Sequence, residues 1–363
     1  MLDALDGEAD RVTWIGRGAG MEAGLVAARG IPFVAVDAAP MVGVGFMGRL
    51  RGAVHLLRGT AQVWRQIGLD RPDVLLVTGG YVSVPAALAA WLRRVPLAIY
   101  LPDMRPGRAV SLIARLADRL LVTDERARAH LPVANAKVQV TGYPVRRALR
   151  EMDREKARDE LNLTASEPLV LIFGGSQGAR RLNEAVIQAA PTLLNRCRLL
   201  HVTGALDVAR VSAARDGLAL EQADRWQVSE YLDAPDMAIA LHAADLAVCR
   251  AGASVLGELP TAGLPAILIP LPIARGHQDA NAAVLVDAGA ARVVDDRAWT
   301  GERMVNELDQ LLSTPEELAA MRTAARALAR SNAAEAIATA LQTLASAQPL
   351  LARAAASPEE DPR

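Results

Sequence analysis

Short apolar runs alternate with amphipathic or alanine-rich segments along nearly the whole chain, and few architectures satisfy that alternation. Strands separated by helices lie parallel and are covered on both faces, so each strand reads as a continuous apolar run. Strands are expected at Val12–Ile15, Val74–Val77, Leu97–Tyr100, Leu120–Val122, Val138–Thr141, Leu169–Phe173, Leu199–Val202, Leu246–Cys249, Ala266–Ile269 and Arg292–Val294. They fall into two halves, each of ordinary domain size within the 363 residues. The expected organisation is an N-terminal α/β domain over 1–147, a join over 148–166, a C-terminal α/β domain with closing helices over 167–345, and a tail over 346–363. In Arg146–Glu160, 11 of 15 residues are charged, which suits a solvated helix beside a linker.

Composition narrows the function classes. Hydrophobic residues make up 52%, as buried parallel sheets require, but aromatic residues only 3%, which argues against a base-stacking nucleic-acid platform. Forty basic residues face 41 acidic ones, and the net charge of −1 gives no global attraction to nucleic acid. Cys197 and Cys249 sit in apolar surroundings and read as buried thiols in a reducing cytosol. The histidines and cysteines show no metal-ligand spacing. Met1–Arg11 is acidic and lacks the apolar core of a signal peptide. Val74–Leu92 carries no charge, but Gly79, Gly80 and Pro85 make it a strand, turn and helix rather than a membrane span.

Three turns share one design: DVLLVTGGYVSVPAALA (Asp73–Ala89), LVLIFGGSQGARRLN (Leu169–Asn183) and ADLAVCRAGASVLGELPTAGLP (Ala244–Pro265). Each takes a strand through glycine directly into a helix. A helix start offers free backbone N–H groups and the positive end of its dipole, which suits phosphate without a metal. One such turn has an ordinary structural explanation. Three, split between two domains, imply a cleft lined from both sides.

The third turn carries more chemistry. Gly252 and Ala253 are small enough for close approach of a phosphate, and Glu258 follows about one and a half helical turns into the helix. Its carboxylate is placed either to accept the hydroxyl protons of a ribose or simply to face solvent, and spacing leaves both open. Beyond the next strand comes the polar loop LPIARGHQDANA (Leu271–Ala282). There Gln278 and Asn281, three apart on a helix start, present amides that both donate and accept, as sugar hydroxyls require.

GGYVSVP, GGSQGARRLN, CRAGA…GELPTAGLPAILIP and HQDANA, in that order, resemble the bacterial peptidoglycan glycosyltransferases that make lipid II. The resemblance covers roughly Val12 to Ala345, and GGSQGA with the Gln-x-x-Asn-Ala element is its most specific part. It implies two doubly wound Rossmann-like domains facing a cleft, the B type of glycosyltransferase. It also implies an inverting transfer of GlcNAc from UDP-GlcNAc to the 4-hydroxyl of an undecaprenyl-diphosphate-linked muramyl pentapeptide. No metal or other cofactor is expected. By resemblance, Ser176 hydrogen-bonds the donor, Leu232 offers backbone to the uracil, Glu258 takes the ribose, and Gln278 contacts the GlcNAc with Asn281 beside it. Arg146 also touches the donor, and Ala253, Ser254, Val255, Leu256 and Gly257 surround the diphosphate. Gly79, Gly80, Tyr81 and Ser83 belong to the acceptor side.

Three departures from the family pattern stand out. Val255 replaces a threonine, which removes a hydroxyl near the α-phosphate; Ser254 is its neighbour in sequence but about 100° away on a helix. Asp103 replaces an asparagine of the acceptor side. Val12–Ile15 matches the family's second strand, so by resemblance the first strand, with a glycine loop carrying a histidine general base, precedes the sequence given. A chain without that loop is expected to bind donor but turn over poorly, with Asp103 the one acid left near the acceptor. A transferase using another lipid acceptor and a UDP-sugar-binding relative without turnover remain as alternative readings.

The segment Ala38–Leu69 contains no acidic residue. Arg49, Arg51, Arg58 and Arg65 with His55 accompany Leu50, Val54, Leu57 and Trp64 at helical intervals. This basic amphipathic pattern is expected either to face an anionic membrane, as a peripheral protein on its cytoplasmic face, or to be a core helix with arginines in solvent.

Overall fold

The computed structural model describes residues 4–5, 11–18, 21–38, 46–164, 166–175, 178–272 and 276–355. The chain divides into two compact units, Met1–Gly142 with Asn332–Arg363, and Tyr143–Ser331. The first contains β1 (Trp14–Gly16), α1 (Met21–Ala27), β2 (Phe33–Ala35), α2 (Phe46–Asp70), β3 (Leu75–Val77), α3 (Ser83–Arg93), β4 (Leu97–Leu101), α4 (Arg108–Ile113), β5 (Arg119–Val122) and β6 (Val138–Val140). The second opens with α5 (Arg147–Glu151), α6 (Arg154–Glu160), β7 (Leu169–Phe173), α7 (Arg180–Leu193), β8 (Arg198–Val202), α8 (Val208–Asp216), α9 (Leu220–Ala223) and β9 (Trp226–Ser229). It continues with α10 (Ala234–Ala243), β10 (Leu246–Cys249), α11 (Val255–Ala262), β11 (Ala266–Leu268), α12 (His277–Asp287), β12 (Ala291–Val293), α13 (Gly301–Leu312) and α14 (Pro315–Ala327). The last helix, α15 (Ala333–Ala355), returns to the first unit.

Every ladder is parallel. The second unit has one sheet of order β12-β11-β10-β7-β8-β9, whereas the first has a β1-β2 pair and a β3-β4-β5-β6 sheet. All ten expected strands form, with ends shifted by up to two residues. The two strands not anticipated, β2 and β9, are both sheet edges, where one ladder suffices and the apolar run can be short or interrupted, as in WQVS. In the second unit Val170, Ile172, Leu246, Val248 and Ile267 pack against Leu182, Val186, Leu308 and Leu311 of the covering helices.

The expected join over 148–166 is instead part of the second unit. Leu149 and Ala157 are buried, and α5 and α6 pack on α10. The charges there tie the elements together. Arg154 Nη1 donates to the carbonyl oxygens of His242, Ala243 and Ala244 at 3.2, 3.2 and 2.6 Å, satisfying the end of α10. Arg158, almost fully buried, reaches the carbonyls of Ala243, Thr164 and Glu167. Both guanidinium groups meet Asp245, at 2.5 and 3.3 Å, whose Oδ2 also accepts the N–H of Leu169 at 2.9 Å.

The closing helix differs from expectation as well. The alanine-rich stretch does not stay with the C-terminal half: Ile337, Ala340 and Leu341 of α15 bury against Ala98, Tyr100 and Leu121 of β4 and β5. Removing a buried aliphatic side chain costs about 2–5 kcal/mol. Ile337→Ala should therefore strip hydrogen-exchange protection from amides of β4 and β5 while those of β7 and β10 keep theirs. Loss of protection in β7 and β10 instead would assign α15 to the other unit.

Candidate active site

In the second unit the strand order reverses between β7 and β10, the point at which a doubly wound sheet opens a crevice beyond its carboxyl ends. Two of the three glycine turns leave from those two strands. After β7, Gly175 and Gly178 have φ of 87° and 75°, and a Cβ on Gly178 would lie 2.4 Å from the Thr203 carbonyl oxygen. Gly174 is equally confined, with Ala179 N only 2.6 Å from where its Cβ would be. Ser176, the expected donor contact, lies outside the described residues.

The end of this turn is fixed by Asn183 on α7. Fully buried, it donates from Nδ2 to the Thr203 carbonyl at 3.0 Å and to Asp207 at 2.9 Å. Its Oδ1 lies 2.9 Å from His201 Nε2 and, with the amide's donors committed, accepts from that ring nitrogen. Burial pushes the His201 pKa down to about 3, so the ring stays neutral and acts as a strut.

The turn after β10 has a different character. Val255, Leu256 and Gly257 donate their N–H groups to the carbonyls of Gly252, Ala253 and Ser254 at 3.3, 3.2 and 3.0 Å. The N–H groups of Gly252, Ala253 and Ser254 have no acceptor among the described residues. Three successive amides at a helix start form an anion cradle. This corrects the expected contact set. Val255 and Leu256 are buried, and Gly257 is glycine because a Cβ would lie 2.8–2.9 Å from Tyr143 and 3.0 Å from Val145. Gly252, Ala253 and Ser254 before them, and Glu258 after them, keep some exposed surface.

Two unanticipated anchors hold the cradle. Asn281, expected among the sugar contacts, is fully buried and donates from Nδ2 to the Ala251 carbonyl at 3.1 Å. It positions the loop rather than touching a ligand. Arg250, also buried, donates to the Ile269 carbonyl at 3.0 Å and to Asp296 at 2.6 Å, and Arg181 meets the same Asp296 at 3.4 Å. A charged residue directly after a buried strand is the sequence signal that could have identified Arg250.

Glu258 lies one turn into α11, half-buried. Burial raises its pKa above the ordinary carboxylate range, opposed by a hydrogen bond from Ser254 and by the charge of Arg146. The Ser254 hydroxyl is thus turned to Glu258 and does not stand in for the hydroxyl absent at Val255. Arg146, from a distant part of the chain, thus acts electrostatically on Glu258, and Ser254 lies one helical turn before it. Gln278 is half-buried with its Oε1 accepting the Leu271 N–H at 2.8 Å, which orients its amide donors. Leu232, between β9 and α10, has neither its N–H nor its carbonyl engaged by backbone among the described residues.

In the first unit Gly79 and Gly80 have φ of 104° and 80°, and Tyr81 is exposed. Ser83 turns inward, accepting the Gly79 N–H at 3.1 Å and donating to the Gly79 carbonyl at 2.5 Å, so it closes the turn and is not a surface contact. Asp103 is half-buried in the loop after β4. Among the described residues no group of three or more His, Cys, Asp or Glu side chains is placed to hold a metal.

Residues 169–339 match the glycosyltransferase family 28 C-terminal domain and residues 1–122 its N-terminal domain. A UDP-N-acetylglucosamine–N-acetylmuramyl-(pentapeptide) pyrophosphoryl-undecaprenol N-acetylglucosamine transferase of Roseiflexus is 43% identical over 91% of this chain and 83% of the relative. The protein of that name from Anaeromyxobacter sp. strain K is 37% identical over 91% and 84%. The crystal structure of Acinetobacter baumannii MurG superposes with a TM-score of 0.73 at 28% identity, covering 94% of this chain and 93% of that one. A UDP-GlcNAc 2-epimerase from Neisseria meningitidis, solved with UDP-GlcNAc, shares the fold with a TM-score of 0.66 at 14% identity, covering 94% of each chain.

The raised pKa of Glu258 has a measurable consequence. A carboxyl whose folded-state pKa exceeds its unfolded value favours folding below the unfolded value, and that contribution is lost as pH rises through the folded one. Glu258→Gln removes the dependence. The ligand-free variant should gain melting temperature relative to wild type as pH rises from about 4, the ordinary glutamate value, through the raised folded one. A difference that stays constant across that range would mean that burial does not perturb the carboxyl.

Proposed function

The chain belongs to glycosyltransferase family 28, among the N-acetylglucosamine transferases of lipid-linked peptidoglycan precursors, and from that premise we propose how its residues divide the work. It transfers GlcNAc from UDP-GlcNAc to lipid-linked MurNAc-pentapeptide, converting lipid I to lipid II. The observation that carries the assignment of roles is the action of Arg146 and Ser254 on Glu258 beside three unengaged amides at the strand-order reversal.

In this reading the donor diphosphate rests on the N–H groups of Gly252, Ala253 and Ser254, with Arg146 adding positive charge. Glu258 accepts the ribose hydroxyls, and donation to it restores the ionised form that burial disfavours. The uracil takes the free N–H and carbonyl of Leu232, Ser176 adds a donor contact, and Gln278 donates its amide to the GlcNAc hydroxyls. The acceptor 4-hydroxyl attacks C1 from the face opposite UDP. As the new C–O bond forms, the bond to the diphosphate oxygen breaks and UDP leaves with the electron pair. The charge developing on that oxygen is met by the α11 amides and dipole. Gly79, Gly80 and Tyr81 are assigned to the acceptor, and Asp103 is the acid to test first as recipient of the hydroxyl proton. The decisive measurement is UDP release with and without a lipid I analogue, with lipid II as product. Glu258→Gln should weaken UDP-GlcNAc binding by about 1.5–3 kcal/mol, the range for hydrogen bonds to a charged group. Unchanged affinity by calorimetry would remove Glu258 from the donor site.

The lipid-linked acceptor requires a membrane surface, and α2 supplies the candidate face. Among the described residues no helix is long and apolar enough to cross a bilayer. Val63 and Ile67 of α2 are buried, and Gly59 packs against the Asp37 carbonyl and Pro85. The opposite face leaves Leu57 71% exposed, with Val54, Trp64 and the arginines 51, 58 and 65 also outward. The side chains of Arg49 and Leu50 lie outside the described ones. Trp91 and Leu92 at the end of α3 are exposed too, and Arg93 stacks on Trp64 with its guanidinium carbon 3.5 Å from the ring centroid. Apolar side chains ringed by arginines suit the interface of an anionic bilayer, here the cytoplasmic face, at about 1 kcal/mol per basic residue. The triple variant Arg51→Glu, Arg58→Glu, Arg65→Glu should lose at least about tenfold in flotation with phosphatidylglycerol vesicles. Recovery equal to wild type would return α2 to a purely structural role.

A further inference from the structure

The cations at the other end of the second unit's sheet are not accounted for by glycosyl transfer. Asp245 directly precedes β10 and pairs with the start of β7, so this is the amino-terminal edge, a strand's length from the donor cradle. Arg154 of α6 and Arg322 and Arg326 of α14 line a cavity of about 420 Å³ there with Asp245, while Pro315, Leu318 and Ala319 form an apolar wall. Arg158 stands behind Asp245, making four guanidinium groups around one carboxylate. Asp153 at the start of α6, His242, whose pKa burial lowers, and the buried Cys197 thiol also face this cluster.

Arg154 and Arg158 are committed to the carbonyls at the end of α10. Arg322 donates to the Gly263 carbonyl at 3.2 Å, and only weakly to that of Asp245 at 3.4 Å. Arg326 has no hydrogen-bond partner or ion pair among the described residues. Exposed, it lays its stem and Nε against Gly263, where a Cβ would come within 2.6 Å, and leaves its guanidinium available. Repulsion within the cluster is real: burial and the neighbouring Arg154 lower the Arg322 pKa to about 10. A cavity of this size, with an apolar wall and a rim where several guanidinium groups share the single carboxylate of Asp245, has the composition of a small-molecule anion site.

We propose that the cavity between α6 and α14 is a second ligand site, which takes a soluble diphosphate-bearing small molecule through Arg322 and Arg326. Guanidinium groups pair with phosphate oxygens in bidentate fashion, and two phosphates neutralise the excess that Asp245 leaves. Gly263, against which both arginines rest, is the left-handed cap of α11, with φ of 62°.

The test is calorimetric titration of pyrophosphate into the full chain saturated with UDP, at constant ionic strength, so that the donor cradle is already filled. A second equivalent should bind. Arg326→Gln, which breaks no hydrogen bond of the fold, should weaken it by at least about tenfold, and Arg326→Glu should abolish it. UDP affinity should stay within about twofold of wild type in both variants, since charge-assisted contacts to the donor are untouched. Absence of a second binding event, or binding indifferent to both substitutions, overturns the proposal. Flotation with phosphatidylglycerol vesicles separates a lipid headgroup from a soluble ligand. Arg326→Gln should float as wild type does, and its selective loss from the lipid fraction would overturn the assignment to a soluble anion.

Discussion

A strand buried on both faces ends at Cys249, and a helix begins at Val255. The residues between cannot satisfy their own amides, because the first helical carbonyls are taken by residues further along. Gly252, Ala253 and Ser254 are therefore left with N–H groups that have no acceptor among the described residues. That unmet demand for an acceptor suits the carboxyl end of this sheet to an anion, and the polar side chains around the turn hold its backbone in place. Asn281 pins the Ala251 carbonyl, and Arg250 beside it is clamped by Asp296, so both anchors act at the strand end of the turn. Both lie inside the protein and neither reaches a ligand.

The neighbouring turn after β7 works by exclusion. Its glycines are required where backbone approaches backbone, at Thr203 and at Ala179, and Asn183 with neutral His201 keeps those segments at that distance. Glu258 completes the arrangement at some expense to the unliganded protein. It is the one site carboxyl that burial holds away from its charged form, and a ligand that donates to it relieves that disadvantage. Stability and binding are opposed at this residue, as is common where an active site is built ahead of its ligand.

The first unit meets a different requirement. Its helix α2 buries a narrow face of small and β-branched residues and leaves apolar and basic side chains outside. Helix packing requires only one stripe, so the outer composition is free to serve a surface. The stacking of Arg93 on Trp64 holds one of those exposed rings in place. At the far edge of the second unit, charge serves packing instead: Arg154 and Arg158 take the place of solvent for the carbonyls that α10 leaves unpaired.

Much of this protein was written in local patterns. Alternating apolar runs determined the strands, their parallel arrangement and the two-unit fold, because a strand covered on both faces must be apolar throughout. The glycine turns and Glu258 were legible because strand-to-helix geometry and backbone approach restrict residue type at short range. Edge strands β2 and β9 escaped notice since one ladder imposes a weaker pattern. Partnership between distant residues was decided only by tertiary structure. Spacing put Asn281 beside Gln278, yet burial turned it to the Ala251 carbonyl; the family resemblance put Gly257 at the diphosphate, yet Tyr143 and Val145 occupy that side. The sequence presented the charges of α6 as a solvated linker, and Asp245, some ninety residues away, made them a structural knot. The alanine-rich α15 had an apolar face but no address until β4 and β5 supplied one. Local geometry limits which residue types fit, whereas the partner of a buried polar group is set by whatever the fold brings within hydrogen-bond reach.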